Sequence, residues 1–61
     1  MLSYQEMLAV VDRHSRVDAD GMWYTSVVKV RDELEYQWGL DELQIRQTIY
    51  DMRNRGLLGA V

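Results

Sequence analysis

The chain contains no cysteine and no proline, and it has only one histidine. Without cysteine it can form neither a disulfide bond nor a thiolate metal site, and a single histidine cannot build a histidine-rich zinc site. We therefore expect no metal and no cofactor. No apolar run reaches the ~18 residues of a transmembrane helix, and the N-terminus lacks the basic and apolar segments of a signal peptide. These absences predict a cytoplasmic protein that does not bind the membrane.

Basic residues are also few, because seven lysines and arginines against ten aspartates and glutamates give a net charge of −3. Nucleic-acid-binding domains are usually basic, so this balance is the main objection to a nucleic-acid ligand. The 61 residues allow one domain, 1–61, and a hydrophobic share of 48% is ordinary for a globular fold. So short a chain has a thin core and usually needs further stabilisation. Self-association is the common remaining source of such stabilisation, so we expect a homodimer.

The spacing of apolar residues predicts three helices, at about residues 3–15, 25–38 and 41–55. Ser3 with Glu6, and Asp41 with Gln44, have the spacing of a capping box at the start of the first and third helices. The second helix is expected to begin at Thr25, which is a good N-cap residue. Glycines at 39 and 56 are expected to end the second and third helices, because glycine adopts a left-handed conformation at little cost.

Each predicted helix has one apolar stripe, and the three stripes are expected to share a core. They are formed by Tyr4, Met7, Leu8 and Val11, by Val27, Val30, Leu34 and Trp38, and by Ile45, Ile49 and Met52. The charged residues of the second helix, Glu33 among them, are assigned to its solvent-facing side. Arg31 and Glu35 have the i, i+4 spacing of an exposed ion pair there.

Residues 16–24 are expected to form a linker with an acidic turn, and residues 22–24 a very short strand. The turn D-A-D-G is similar to part of a calcium-binding loop, but two ligand positions would hold Arg16 and Val27, which supply no carboxylate. An acidic surface turn is therefore favoured over a calcium site. Residues 57–61 are apolar and predict one further strand, which could pair with residues 22–24 or with another subunit.

Residues 34–58 resemble a winged helix-turn-helix domain. Leu34, Trp38 and Gly39 match the end of that family's second helix and its turn, and Asp41 matches the cap of its recognition helix. The three buried positions of that recognition helix are matched by Ile45, Ile49 and Met52. R-G-L-L at 55–58 matches the exit from the helix into the wing. The resemblance implies a mainly α fold, a three-helix helix-turn-helix bundle of winged-helix type with at most a minimal β element. Only five residues follow Gly56, so we expect the two-stranded wing to be truncated or missing.

The resemblance further implies that helix 41–55 reads double-stranded DNA in the major groove, in a regulator of transcription or replication. Gln44, Arg46, Gln47, Tyr50 and Asn54 are the candidate base contacts, and Arg53, Arg55, Lys29 and Arg31 are the candidate phosphate contacts. Between residues 44 and 55 three arginines face one aspartate, a local charge of +2, which leaves −5 for the rest of the chain. The positive charge is thus concentrated on the helix that would bind DNA.

An alternative function is a protein–protein interaction or assembly module on the same scaffold without DNA binding. The acidity, the missing wing and exposed Tyr50 favour it, since tyrosine is enriched at interface hot spots. Four further aromatic residues, Trp23, Tyr24, Tyr36 and Trp38, are expected in the core or in a dimer contact. An enzyme is not expected: His14 and Ser15 are adjacent but lack an orienting partner, and there is no glycine-rich phosphate loop.

Overall fold

The computed structural model describes residues 1–59, which form three helices and one two-stranded antiparallel sheet. In chain order the elements are α1 (Tyr4–Arg13), β1 (Ser15–Val17), β2 (Trp23–Thr25), α2 (Val27–Tyr36) and α3 (Glu42–Asn54). The fold is therefore mainly α with a minimal β element, as the sequence predicts. Within residues 1–59, no helix combines the length and the apolarity that crossing a membrane would require.

The predicted capping box begins α1. The Glu6 N–H donates to Ser3 Oγ at 3.1 Å, and the Ser3 N–H donates to Glu6 Oε1 at 2.8 Å. The helix ends at Arg13, two residues before the predicted end at 15. The reason is that Ser15 already belongs to β1, while its hydroxyl donates to the Val11 carbonyl at 2.7 Å.

The buried face of α1 differs from the predicted stripe. Met7 and Val11 are buried as expected, but the third buried residue is Val10, whereas Tyr4 and Leu8 are 46% and 40% exposed. The stripe is rotated because Val10 and Val11 lie three and four residues after Met7 and face the core together. The Tyr4 ring instead lies beneath the Arg55 guanidinium, 5.8 Å from the ring centroid.

The predicted linker is a β-hairpin. β1 pairs antiparallel with β2, with Arg16 opposite Tyr24 and Val17 opposite Trp23. The prediction missed β1, and it placed the other strand one residue too early. In the connecting turn, the Asp18 carboxylate accepts the N–H groups of residues 20 and 22, both at 2.9 Å. This carboxylate therefore stabilises the turn, in agreement with an acidic surface turn.

Thr25 is not the N-cap of α2, so that prediction was wrong. The cap is Ser26, whose hydroxyl accepts the Lys29 N–H at 3.4 Å. Thr25 is buried at the end of β2, where its hydroxyl lies 2.9 Å from Ser15 Oγ and accepts the Gly59 N–H at 2.8 Å. It therefore joins the hairpin to the C-terminal segment. As a result, α2 begins two residues later than predicted and ends at Tyr36 rather than at 38.

The predicted turn between the second and third helices is present. Gly39 has a φ of +65°, and the following Leu40 N–H donates to the Leu34 carbonyl at 3.0 Å. Asp41 then caps α3: its carboxylate accepts the Gln44 N–H at 2.8 Å, and the Gln44 side chain accepts the Asp41 N–H at 3.0 Å. Both capping boxes inferred from the sequence are thus confirmed.

A Schellman motif ends α3 at the predicted glycine. Gly56 has a φ of +72°, and its N–H donates to the Arg53 carbonyl at 3.0 Å, while the Leu57 N–H donates to the Met52 carbonyl at 2.9 Å. Residues 57–59 continue without forming a strand. The strand predicted for 57–61 is therefore absent from 57–59, and residues 60 and 61 lie outside the described part of the chain.

The three helices enclose a single core whose α2 and α3 members are those predicted. Its buried hydrophobic residues are Leu2, Met7, Val10, Val11, Val30, Leu34, Ile45, Ile49, Met52 and Leu57. Val27 and Trp38 are partly buried against this core. Tyr36, Trp23 and Tyr24 are 76%, 45% and 39% exposed. Of the four aromatic residues, Trp38 therefore takes the expected core position, whereas a dimer contact stays a prediction for the other three.

Candidate nucleic-acid interface

The outer face of α3 is mostly polar, although Leu43 is 62% exposed on it. Gln44, Arg46, Gln47, Arg53 and Asn54 are exposed on it, and Tyr50 is 63% exposed. The opposite face contributes four buried residues to the interior. Because the cap and the apolar stripe fix the rotation of the helix, the predicted candidate base contacts all face solvent.

A groove of about 350 Å³ lies between α2 and α3. It is lined by Val27, Arg31, Arg46, Ile49, Tyr50 and Arg53. Three of these six residues are arginines, one from α2 and two from α3. With Tyr50, the packing of the two helices brings four predicted DNA contacts to one surface. The apolar lining residues are buried or half-buried, which leaves the guanidinium groups and the Tyr50 ring at the rim.

Glu42, the first residue of α3, binds two of these arginines. Arg31 Nη2 donates to both carboxylate oxygens, at 2.8 and 3.0 Å, and Arg46 Nε lies 3.5 Å from one of them. The hydrogen bond from Arg31 and the positive charge of that guanidinium lower the pKa of Glu42. The predicted pair of Arg31 with Glu35 was wrong, because Arg31 lies on the side of α2 that faces α3.

The remaining predicted cations are arranged differently. Arg53 makes no ion pair within residues 1–59, whereas Arg55 Nε donates to the Asp51 carboxylate at 3.0 Å and stacks over Tyr4. Lys29 lines a separate cleft between α1 and α2. It stands two residues from Arg31, and a helix rotates about 100° per residue, so the two side chains leave α2 in nearly opposite directions. Lys29 therefore does not join the α2–α3 groove.

The cleft that includes Lys29 contains a buried carboxylate that the sequence did not predict. Glu33 was assigned to the solvent-facing side, but its side chain is only 9% exposed. Arg13 Nε donates to it at 2.9 Å and Arg13 Nη2 donates to its second oxygen. His14 Nε2 lies 2.9 Å from the carboxylate, and the Trp38 indole N–H donates at 3.0 Å. The one available signal was Trp38, whose indole N–H needs a partner when it is partly buried.

These contacts determine the electrostatics of Glu33. The hydrogen bond from Arg13 has the largest effect, and together with those from Trp38 and His14 it lowers the pKa of Glu33 to about 2 although burial opposes this change. The carboxylate is therefore ionised at neutral pH and connects the end of α1 to α2 and to the turn before α3. The surrounding cleft, of about 730 Å³, is also lined by the exposed residues Lys29, Tyr36 and Gln37.

Within residues 1–59, no three histidine, cysteine, aspartate or glutamate residues come together in a way that could hold a metal ion. The exposed face of α3 and the arginine-lined groove beside it bring together most of the predicted site residues. Comparison of the chain with protein-family models, with curated proteins and with solved structures gives no match.

Proposed function

We propose that the chain is a DNA-binding helix-turn-helix domain of a transcriptional or replication regulator, with α3 lying in the major groove. The observation that carries this proposal is the α2–α3 groove, where Arg31, Arg46 and Arg53 line one surface beside Tyr50. Phosphate contacts supply most of the affinity of such domains. Three guanidinium groups and the carboxylate of Glu42 give this surface a local charge of +2, which favours phosphate binding although the whole chain is acidic.

The polar side chains of α3 and of the adjacent groove divide into two chemical roles. Gln47 and Asn54 can each form a bidentate pair with adenine, and Arg46 can do so with guanine. Arg31 of α2 and Arg53 of α3 lie at the rim of the groove, and we expect them to contact the phosphates on one side of α3. With 13 residues, α3 is about 20 Å long and about 10–12 Å wide, a size that suits the major groove.

A salt titration tests the proposal. We expect the affinity for mixed-sequence duplex DNA, followed by fluorescence anisotropy of labelled DNA, to fall linearly in log–log form between about 20 and 200 mM salt. Arg53→Ala should weaken binding and reduce the slope by about 0.9, the value for one lost phosphate contact. Arg53 is the sharper choice because its removal breaks no ion pair within residues 1–59.

Lys29→Ala is the matched control, because it removes one positive charge from α2 on the side away from the groove. Its slope should equal that of the wild type. Equal losses in the two variants would indicate a nonspecific response to net charge and would contradict an interface on α3. Absence of binding at the lowest salt concentration would exclude the DNA-binding function.

A second candidate is a protein–protein interaction or assembly module, including a homodimer. The observation in its favour is that Leu43 and Tyr50, on the outer side of α3, are 62% and 63% exposed, and Val17 and Met22 of the hairpin are 66% and 57% exposed. Burying such side chains favours association. Sedimentation equilibrium over a wide concentration range tests the homodimer. We expect Tyr50→Ala to weaken self-association. A wild-type protein that is monomeric at every concentration would rule the homodimer out.

A further inference from the structure

Glu42 is surrounded by the cations of the proposed DNA-binding face. It occupies the first turn of α3, between Arg31 of α2 and Arg46 one helical turn further along α3. All three side chains are accessible: Arg31, Glu42 and Arg46 are 39%, 61% and 72% exposed. The cluster is therefore open to an incoming ligand.

Glu42 forms with Arg31 the type of charge-assisted hydrogen bond that an arginine also forms with a phosphate. Arg31 Nη2 donates to both carboxylate oxygens, at 2.8 and 3.0 Å, and guanidinium groups donate charge-assisted hydrogen bonds to phosphate oxygens as well. Exposed ion pairs of this kind contribute little to folding stability. The two ion pairs of Glu42 therefore add little to folding stability, yet they engage two of the three arginines in the groove.

We propose that Glu42 acts as an intramolecular phosphate mimic, which holds Arg31 and Arg46 in the unbound protein and must release them when a DNA phosphate takes its place. The inference rests on the proposed DNA-binding function and concerns the regulation of that site. Glu42 then lowers the affinity for all duplexes alike, because it competes with phosphates, which every sequence presents. The hydrogen bond from Arg31 also keeps the pKa of Glu42 below its ordinary value, so the carboxylate remains charged at neutral pH.

Glu42→Gln is the test variant, since it retains the shape of the side chain and removes its charge. We expect it to bind duplex DNA about threefold to tenfold more tightly than the wild type at about 50 mM salt, the range for releasing two exposed ion pairs. Its log–log salt slope should be steeper by up to about 0.9, because the wild-type complex leaves one unpaired carboxylate beside the phosphates.

Glu35→Gln is the matched control, because it removes the same charge from an exposed residue that makes no ion pair within residues 1–59. It should change the affinity less than about twofold. In a background that carries Arg31→Ala and Arg46→Ala, the gain from Glu42→Gln should fall to that of the control. A gain that persists there would show a long-range charge effect and would overturn the inference.

The outcomes separate the inference from the function on which it rests. If the wild type binds DNA and Glu42→Gln binds no more tightly than Glu35→Gln, the inference fails while the DNA-binding function stands. If neither the wild type nor Glu42→Gln binds DNA, both fail. Thermal unfolding of each variant, together with Glu42→Ala as a second removal of the carboxylate, tests a purely structural role. Such a role would lower the melting temperature without raising the affinity.

Discussion

Replacing Glu33 by glutamine tests whether the buried carboxylate between α1 and α2 stabilises the fold through its charge. Glutamine keeps the shape of the side chain and an oxygen that can accept the Trp38 indole N–H. It removes the negative charge that faces the Arg13 guanidinium, which donates through both Nε and Nη2. We expect the variant to fold, with a lower free energy of unfolding at neutral pH.

The magnitude follows from the pKa of Glu33, which the folded protein lowers from 4.5 to about 2. At ~1.4 kcal/mol for each tenfold change in the dissociation constant, this corresponds to ~3 kcal/mol of stability at neutral pH. The Arg13 side chain is 52% exposed, so solvent screens part of the attraction. We therefore expect Glu33→Gln to lower the free energy of unfolding by ~2 kcal/mol at pH 7.

The pH dependence gives the more specific test. Because the pKa of Glu33 is lower in the folded state, its contribution is fully present above about pH 4.5 and is lost as the pH falls toward about 2. Urea unfolding followed by far-ultraviolet circular dichroism should show the full difference between wild type and variant at pH 7. The difference should be smaller near pH 3.5, and it should disappear below pH 2.

Glu35→Gln is again the control, because Glu35 lies on the same helix and is exposed. It should change the free energy of unfolding by less than ~0.5 kcal/mol at every pH. A Glu33→Gln variant as stable as this control at pH 7 would refute the electrostatic argument. A loss of equal size at pH 7 and at pH 2 would show that packing, rather than charge, accounts for the effect.

Two glycine substitutions test the backbone of the fold by the same urea assay. In Gly59→Ala the new Cβ would lie 2.7 Å from Tyr24 Cα and 2.9 Å from the Trp23 carbonyl oxygen. We expect the free energy of unfolding to fall by ~1–3 kcal/mol. Unchanged stability would show that the C-terminal segment does not pack on β2. In Gly39→Ala the Cβ would meet no atom within 4 Å, but φ is +65°, so the left-handed backbone alone should cost ~1 kcal/mol. Gly39→Asn should cost less, because asparagine tolerates this conformation, and an equal loss in both variants would contradict that reasoning.

The local features of the fold were predictable because a few neighbouring residues determine them. Ser3 with Glu6, and Asp41 with Gln44, form capping boxes within four consecutive residues, so no tertiary information is needed to identify them. The start of α2 was misplaced because two adjacent residues could both cap it. Thr25 is removed from that role by contacts with Ser15 and Gly59, which are distant in sequence and depend on the folding of the hairpin.

The candidate site was predictable to a similar extent. The rotation of α3 follows from its apolar spacing, and so the exposure of its polar face could be inferred. Which cations meet there depends on how α2 packs against α3, and periodicity gives no information on that packing. Lys29 is an exception: its separation of two residues from Arg31 already indicated that both could not face one groove. The burial of Glu33 was less accessible, since Arg13 is 20 residues distant.

The Glu33 cluster and the Glu42 cluster lie on opposite sides of α2 and differ in their effect on stability. The Glu33 side chain is 9% exposed and that of Arg13 is 52% exposed, so solvent screens this pair only in part and the cluster contributes to stability. Glu42 and its two arginines are exposed, so water can replace each partner at little cost. An exposed arginine that loses little by leaving its carboxylate can transfer to another anion. The same exposure that makes the Glu42 cluster unimportant for folding therefore makes its arginines available to DNA, whereas Arg13 stays bound to Glu33.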